Sequence, residues 1–240
     1  MIHHVVIKNI HNINILKKRK KMECVISNLN LKVRIEQIGA ELCSIESKTS
    51  GREFVWDADP EIWGSSAPVL FPIVGGLKDG HTTYDGKLYN MPRHGIVRHN
   101  NNLHVIEQES DRITLRLTAD EQTRKQYPFN FIFDINFRVK DNSVIVSHSV
   151  RNTDSRDMYF SLGAHPAFNC PINKGENYSD CYLEFEERET LSTNTLTKEG
   201  LVTADSRQVL NNECILPLTD DIFANDALML RDLKSRRITD

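Results

Sequence analysis

Two short stretches of the sequence place a histidine where it could transfer protons. The first is Pro92–Gly95, which reads Pro-Arg-His-Gly, and the second is Gly163–Phe168, which reads Gly-Ala-His-Pro-Ala-Phe and follows an apolar segment, Met158–Leu162, that is predicted to be a strand. Proline fixes the path of the chain, and glycine lets the backbone pass close to a ligand. Histidine changes charge near neutral pH, so two imidazoles in one cleft suit acid and base chemistry on a neutral polar substrate. His94 and His165 are therefore the candidate catalytic residues.

Other histidines in the sequence have simpler explanations. A loop histidine such as His94 is, taken alone, often a surface residue, whereas His165 has little reason to stand in its phrase for packing alone. His148 alternates with valines on an apolar face and is predicted to lie in the core. His99 and His104 follow at intervals that fit neither a helix face nor a strand face, and no Cys or acidic ligand joins them in a metal pattern. The sequence thus predicts no metal site, and it contains neither a serine-hydrolase motif nor a Gly-rich phosphate loop.

Length and composition limit the classes of function. A chain of 240 residues forms one domain with a substantial core or two small ones. The formal net charge of −3 gives no sign of a nucleic-acid partner or an anionic membrane surface. No apolar run approaches the roughly 20 residues that a membrane-spanning helix needs. The odd number of cysteines, five, and the lack of a secretory hydrophobic segment predict a reducing, cytoplasmic setting.

The N-terminal segment, residues 1–21, differs from the rest of the chain. It ends in the basic run Lys17–Lys21, which is followed by Met22. One interpretation is a nuclear-localisation or nucleic-acid-binding arm. The other, which we favour, is a disordered or non-native extension ahead of a start at Met22. The folded domain is accordingly predicted to cover residues 22–240.

Strand patterns dominate that domain. Apolar and polar residues alternate over 31–37, 113–119, 131–139 and 144–150, as in half-buried strands of antiparallel sheets. Residues 120–126 could form a single helical turn. The pattern predicts an all-β protein with antiparallel sheets.

Four phrases, taken in their order and spacing, resemble a known family. From about Leu31 to Asp240 the sequence resembles the aldose 1-epimerase (galactose mutarotase-like) family, in the bacterial branch typified by the lactose-operon X protein. Each phrase alone is weak, but the set is specific. The phrases are Gly39–Leu42, Pro68–Gly75, Arg93–Gly95 and Gly163–Phe168.

The resemblance implies a fold, a reaction and residue roles. The fold would be a large antiparallel twisted β-sandwich with a small-molecule aldose in a cleft across one sheet. The reaction would interconvert the α and β anomers of a free aldohexose by acid and base ring opening, which needs no metal or organic cofactor. His165 would be the general acid toward the ring oxygen, and His94 would orient that oxygen. An acidic substrate-binding residue is placed at Asp226.

The sequence departs from the family pattern in two places. Many relatives carry an arginine that contacts sugar hydroxyls where this chain has Gly76, and Lys78, Arg93 or Arg98 could substitute as substrate-binding residues. The general-base glutamate of the family lies near the C-terminus in a Glu-Pro-Trp-like phrase, and nothing here matches it, because the last glutamate is Glu213. We therefore expect that a C-terminal part of the usual domain is absent, which would leave an unpaired sheet edge and remove the general base of the family.

Three functions stay open from the sequence. The first is a mutarotase-type isomerase acting on free aldohexoses. The second is a non-catalytic sugar-binding or sensing module on the same scaffold, consistent with the missing base. The third is an epimerase of hexose 6-phosphates, which would use a cationic cluster such as Arg93 and Arg98. No sequence pattern identifies the preferred sugar or the oligomeric state.

Overall fold

The computed structural model describes most of the predicted domain. The N-terminal segment 1–21 and Asp226 lie outside the described residues, so the predictions made for them are not addressed by the structure. The described residues are 23–173, 175–197, 201–219, 221–223 and 227–239.

The regular secondary structure of the described residues consists almost entirely of strands. In chain order these are β1 (Glu23–Ser27), β2 (Leu31–Glu36), β3 (Glu41–Ser47), β4 (Val69–Leu70), β5 (His81–Tyr84), β6 (Lys87–Asn90), β7 (His104–Gln108), β8 (Arg112–Thr118), β9 (Phe131–Lys140), β10 (Ser143–Asn152), β11 (Gly163–Ala164), β12 (Tyr182–Leu196), β13 (Val202–Pro217) and β14 (Ile238–Thr239).

The strands pair antiparallel throughout the named ladders. One sheet has the order β1-β2-β3, and a second has the order β10-β9-β8-β7. A third sheet, of order β13-β12-β14, lies in the C-terminal part of the chain. The pairs β5-β6 and β4-β11 complete the pattern. The predicted all-β antiparallel fold is therefore confirmed.

The alternation seen in the sequence decides which residues fill the core. On β9, Phe131, Phe133, Ile135 and Phe137 are buried while the residues between them are not. Residues of the first sheet, such as Val33, join the same hydrophobic cluster, so the first and second sheets share one core as a sandwich. Burying side chains of this size stabilises the fold by about 1.5–3 kcal/mol each. A second, smaller cluster around Phe185 packs the β12–β13 hairpin.

Helical structure is limited to short segments. The α-helix α1 spans Glu121–Gln126, as predicted, and the 3-10 segments are Ile38–Ala40, Lys78–Gly80 and Tyr178–Asp180. Asp120 caps α1, because its side chain accepts from the backbone N–H of Thr123, while the Thr123 hydroxyl accepts from the Asp120 N–H. Among the described residues, none of the helices has the length and apolar character that crossing a membrane requires.

Two local predictions need correction. Met158–Leu162 is not a strand; Ser161 donates one backbone hydrogen bond to Pro72, and a ladder begins only at Gly163. An apolar run becomes a strand only when a partner strand is available. Here β4 has two residues, and both pair with Gly163 and Ala164. His148 is half-buried rather than fully buried, with its ring stacked on Phe133 at a centroid distance of 5.8 Å.

Candidate functional site

The β4–β11 pair determines where His165 lies. These two-residue strands run antiparallel, and the backbone of His165 continues the ladder by donating to the carbonyl of Pro68 at 3.2 Å. Two residues further on, Ala167 donates to the carbonyl of Ser66 at 2.8 Å. The phrase Gly163–Phe168 is thus held alongside residues 66–70, and His165 leaves this ladder with an exposed side chain.

A carboxylate from β3 holds the partner of that ladder in place. Oε1 of Glu41 accepts from the backbone N–H groups of Ser66 at 2.6 Å and of Ala67 at 3.0 Å. Gly39, two residues earlier, has a φ of 68°, and a Cβ there would lie 2.3 Å from the carbonyl oxygen of Arg98. The phrase Gly39–Leu42 therefore contacts two segments near the histidines, residues 66–67 through Glu41 and Arg98 through Gly39.

A close backbone crossing sets the position of His94. Gly95 has a φ of 81°, and a Cβ at this position would lie 2.1 Å from the carbonyl oxygen of Phe71. That oxygen accepts the N–H of Ile96 at 2.8 Å, and Phe71 and Gly95 form a parallel bridge. Only glycine fits such an approach. The Arg-His-Gly phrase is thereby fixed to the end of β4.

The imidazole of His94 is held in one tautomer. The backbone N–H of Gly75 donates to Nδ1 of His94 at 3.1 Å, and the N–H of His94 donates to the carbonyl of Gly75 at 2.8 Å. Since a backbone N–H can only donate, Nδ1 must be unprotonated, and the proton of the neutral ring lies on Nε2. His94 consequently has a donor to offer on its free nitrogen.

The surroundings of His94 keep it neutral. Burial, together with the charges of Arg93, Arg98 and His165, lowers its pKa from 6.5 to about 4. The hydrogen bond from Gly75 to Nδ1 also favours the neutral form. At pH 7 His94 therefore serves as a hydrogen-bond donor rather than as a titrating acid.

The two predicted catalytic histidines come together. The ring centroids of His94 and His165 are 6.0 Å apart, with the ring planes at 80°. Hydrogen bonds from nitrogen span about 2.9 Å, so one oxygen atom of a ligand fits between two such rings. The pair can bind one polar oxygen from two directions and give it a proton.

The predicted substrate-binding cations lie at different distances from this pair. Arg98 is half-buried and donates through Nη2 to Oγ of Ser65 at 3.0 Å, while its Nε is buried without a partner among the described residues. Arg93 is exposed, and the charges of both arginines act on His94. Lys78 is exposed in the 3-10 segment Lys78–Gly80, and no described contact joins it to either histidine.

Two structural features bear on other kinds of site. Within the described ranges, no group of three or more His, Cys, Asp or Glu side chains could hold a metal ion. A cavity of about 800 Å³ lies between the first sheet and the C-terminal strands, and neither histidine lines it. The candidate site is therefore identified by converging polar groups and not by cavity size. Residues lining that cavity include Leu31, Ile45, Phe54, Phe168, Leu183 and Ile238.

Sequence reasoning missed two residues that shape the site. The indole of Trp63 lies against the imidazole of His165, at a centroid distance of 4.8 Å and an interplanar angle of 35°. Gly75 selects the tautomer of His94. A usable signal for Trp63 was its rarity, since the chain has two tryptophans. No signal in the sequence identified the partner of the Gly75 N–H.

Comparison with known proteins gives consistent matches over this region. The family model described as aldose 1-epimerase matches residues 22–239. The chain is 33% identical over 226 residues to the chromosomal protein LacX of Lactococcus lactis subsp. lactis, a match that covers 91% of this chain and 75% of LacX.

Two solved structures show the same architecture. A galactose mutarotase related enzyme from Lactobacillus acidophilus is 38% identical with a TM-score of 0.82, covering 87% of this chain and 69% of the other. A galactose mutarotase-like protein from Lactobacillus casei is 28% identical with a TM-score of 0.80, covering 87% and 71%.

Proposed function

Since this chain is a member of the aldose 1-epimerase family, we propose that it interconverts the α and β anomers of a free aldohexose. The observation that carries the proposal is the arrangement of the two imidazoles. His94 is fixed as an Nε2–H donor by Gly75, and its ring lies 6.0 Å from that of His165. Ring opening of a sugar requires a proton on the ring oxygen, and this pair offers one group to orient that oxygen and one to protonate it.

The proposed first half-reaction follows from these roles. His165 donates its proton to the ring oxygen as the bond from that oxygen to the anomeric carbon breaks. His94 remains neutral throughout and donates a hydrogen bond through Nε2 to the same oxygen. The anomeric hydroxyl loses its proton to a base and becomes the carbonyl of the open-chain sugar. Rotation about the adjacent carbon–carbon bond and reversal of these steps yield the other anomer.

A second candidate function arises because the anomeric hydroxyl must lose its proton to a base. The family places this role on a glutamate for which residues 1–240 offer no matching phrase. This observation favours, as the alternative, a protein that binds the sugar without interconverting it.

Polarimetry of freshly dissolved α-D-glucose and α-D-galactose tests the proposal. We expect this chain to accelerate the change in optical rotation, and His165→Asn to lower the rate by a factor of about 10²–10⁴, the usual contribution of a positioned acid. His104→Asn is the matched control, because His104 is exposed at the start of β7. Saturable sugar binding by a folded sample that gives no acceleration would replace the isomerase proposal by the binding module.

A further inference from the structure

Ring contacts hold the side chain of His165. Among the described residues its backbone N–H makes a hydrogen bond, but no hydrogen bond to its imidazole is formed. The indole of Trp63 covers one side of the imidazole at 4.8 Å, and the ring of His94 approaches edge-on at 6.0 Å. An exposed side chain without such contacts would sample several rotamers.

Trp63 is itself fixed by the segment that carries His165. The indole N–H of Trp56 donates to the carbonyl of Trp63 at 2.9 Å, and the backbone N–H of Trp56 donates to the carbonyl of Ala167 at 3.0 Å. The N–H of Trp63 donates to the carbonyl of Asp59 at 2.7 Å, which closes the turn that presents the indole. Trp56 thus ties the turn bearing Trp63 to the ladder bearing His165.

We propose that Trp63 is the positioning residue of His165, holding the imidazole in the orientation from which it protonates the ring oxygen. The inference rests on the proposed function. A proton donor must lie within about 2.6–3.2 Å of the atom it serves, and a displacement of about 1 Å costs up to a hundredfold in rate. The indole meets this requirement by restricting rotation of the imidazole, and it transfers no proton itself.

The sharpest test of the ring contact is an NMR measurement that needs no activity. In protein with labelled histidines, the Cε1–H resonance of His165 is identified by its loss in His165→Asn. The ring current of Trp63 should displace this resonance upfield in the unmodified protein, and Trp63→Leu should abolish the displacement. Trp63→Phe, which keeps an aromatic ring, should retain part of it. The resonances of histidines outside the site, such as the exposed His104, should not move, which shows that the fold is kept.

Kinetics then separate positioning from sugar binding. We expect Trp63→Leu to lower kcat for mutarotation by about 10- to 100-fold with KM unchanged, and Trp63→Phe to recover most of the rate. Ile62→Ala is the matched control, since Ile62 lies in the same turn and is 75% exposed. A rise in KM at constant kcat would overturn the inference and assign the indole to the sugar. An unmoved His165 resonance in Trp63→Leu would also overturn it.

The two proposals fail in different ways. If the unmodified chain does not accelerate mutarotation, the proposed function is lost, and with it the catalytic purpose of the contact, although the NMR displacement would remain. If the unmodified chain is active and Trp63→Leu is equally active, only the inference about Trp63 is lost.

Discussion

Gly75 and His94 exchange two hydrogen bonds, one from the Gly75 N–H to Nδ1 of His94 at 3.1 Å and one from the His94 N–H to the carbonyl of Gly75 at 2.8 Å. The first bond fixes the tautomer of the ring, and the second fixes the backbone of His94, which has a φ of 69°. Gly75 and His94 lie 19 positions apart in the chain. The phrases that contain them, Pro68–Gly75 and Arg93–Gly95, therefore act as one structural unit. The proton offered by His94 depends on that unit.

The low pKa of His94 predicts a specific dependence of stability on pH. Its pKa is about 4 in the folded chain and 6.5 as the ordinary value, so the unfolded chain binds more protons between these limits. Stability should rise with pH across this window and fall as the pH drops from about 6.5 toward 4. Allowing for partial solvent screening, His94 should account for about 1–2 kcal/mol of the change.

Replacing His94 by Asn tests this dependence without straining the backbone. Asparagine tolerates a positive φ and offers an oxygen that can accept from Gly75. Urea unfolding at pH 7 and pH 5 should show a smaller loss of stability in His94→Asn than in the unmodified chain. His99→Asn, at an exposed position, is the control. Part of the dependence should remain, because burial also lowers the pKa of His148; an unchanged dependence would contradict the assignment to His94.

The close approach at Gly95 predicts that a single methyl group will displace the site. Gly95→Ala brings a Cβ to 2.1 Å from the carbonyl oxygen of Phe71. Gly86→Ala is the matched control, because Gly86 also has a positive φ, 74°, but nothing lies within 4 Å of its Cβ position. We expect the control to lose about 1–2 kcal/mol of unfolding free energy from backbone strain alone and Gly95→Ala to lose clearly more. Equal losses in denaturant unfolding would show that the crossing is not tight.

The carboxylate of Glu41 links β3 to residues 66–67, which pair with the segment that carries His165. Glu41→Ala leaves the N–H groups of Ser66 and Ala67 unpaired in a buried position, at about 1–3 kcal/mol each. Glu41→Gln keeps an acceptor and should lose less. Both stability and mutarotation should fall together in Glu41→Ala.

The control for that experiment lies on the same strand. Glu46 of β3 pairs with Lys32 at 3.9 Å across a solvent-exposed surface, so Glu46→Ala should change the unfolding free energy by less than about 1 kcal/mol. If both alanine variants behaved alike, Glu41 would have no special role in holding residues 66–70.

The cations beside His94 provide the test between free and phosphorylated sugars. Because we propose a free aldohexose, Arg98→Ala should change KM for glucose and for glucose 6-phosphate by the same factor. Lys125→Ala is the control, since Lys125 is exposed on α1 and pairs there with Glu121 at 3.2 Å. A rise in KM confined to the phosphate ester in Arg98→Ala or Arg93→Ala would favour the epimerase of hexose 6-phosphates instead.

Much of the fold was predictable from the sequence because alternation is a local property. Apolar residues, such as Val33 on β2 and Phe133 on β9, recur at every second position of their strands. A strand places alternate residues on the same face. Burial of that face follows from the residues themselves. The single helical turn after Asp120 was likewise predictable from its local sequence. The strand expected at Met158–Leu162 failed because strand formation needs a partner, and the local sequence contains no information about the partner's length.

The sequence by itself determined which side chains could do the chemistry, since His94 and His165 stand beside glycines and prolines that set the path of the backbone. Only the tertiary structure decided how those side chains behave. The neutral state of His94 depends on burial and on an N–H from Gly75, and the orientation of His165 depends on an indole about a hundred residues earlier in the chain. A pKa and a side-chain orientation are set by every group within a few ångströms, whatever its distance along the chain, and only folding brings those groups together.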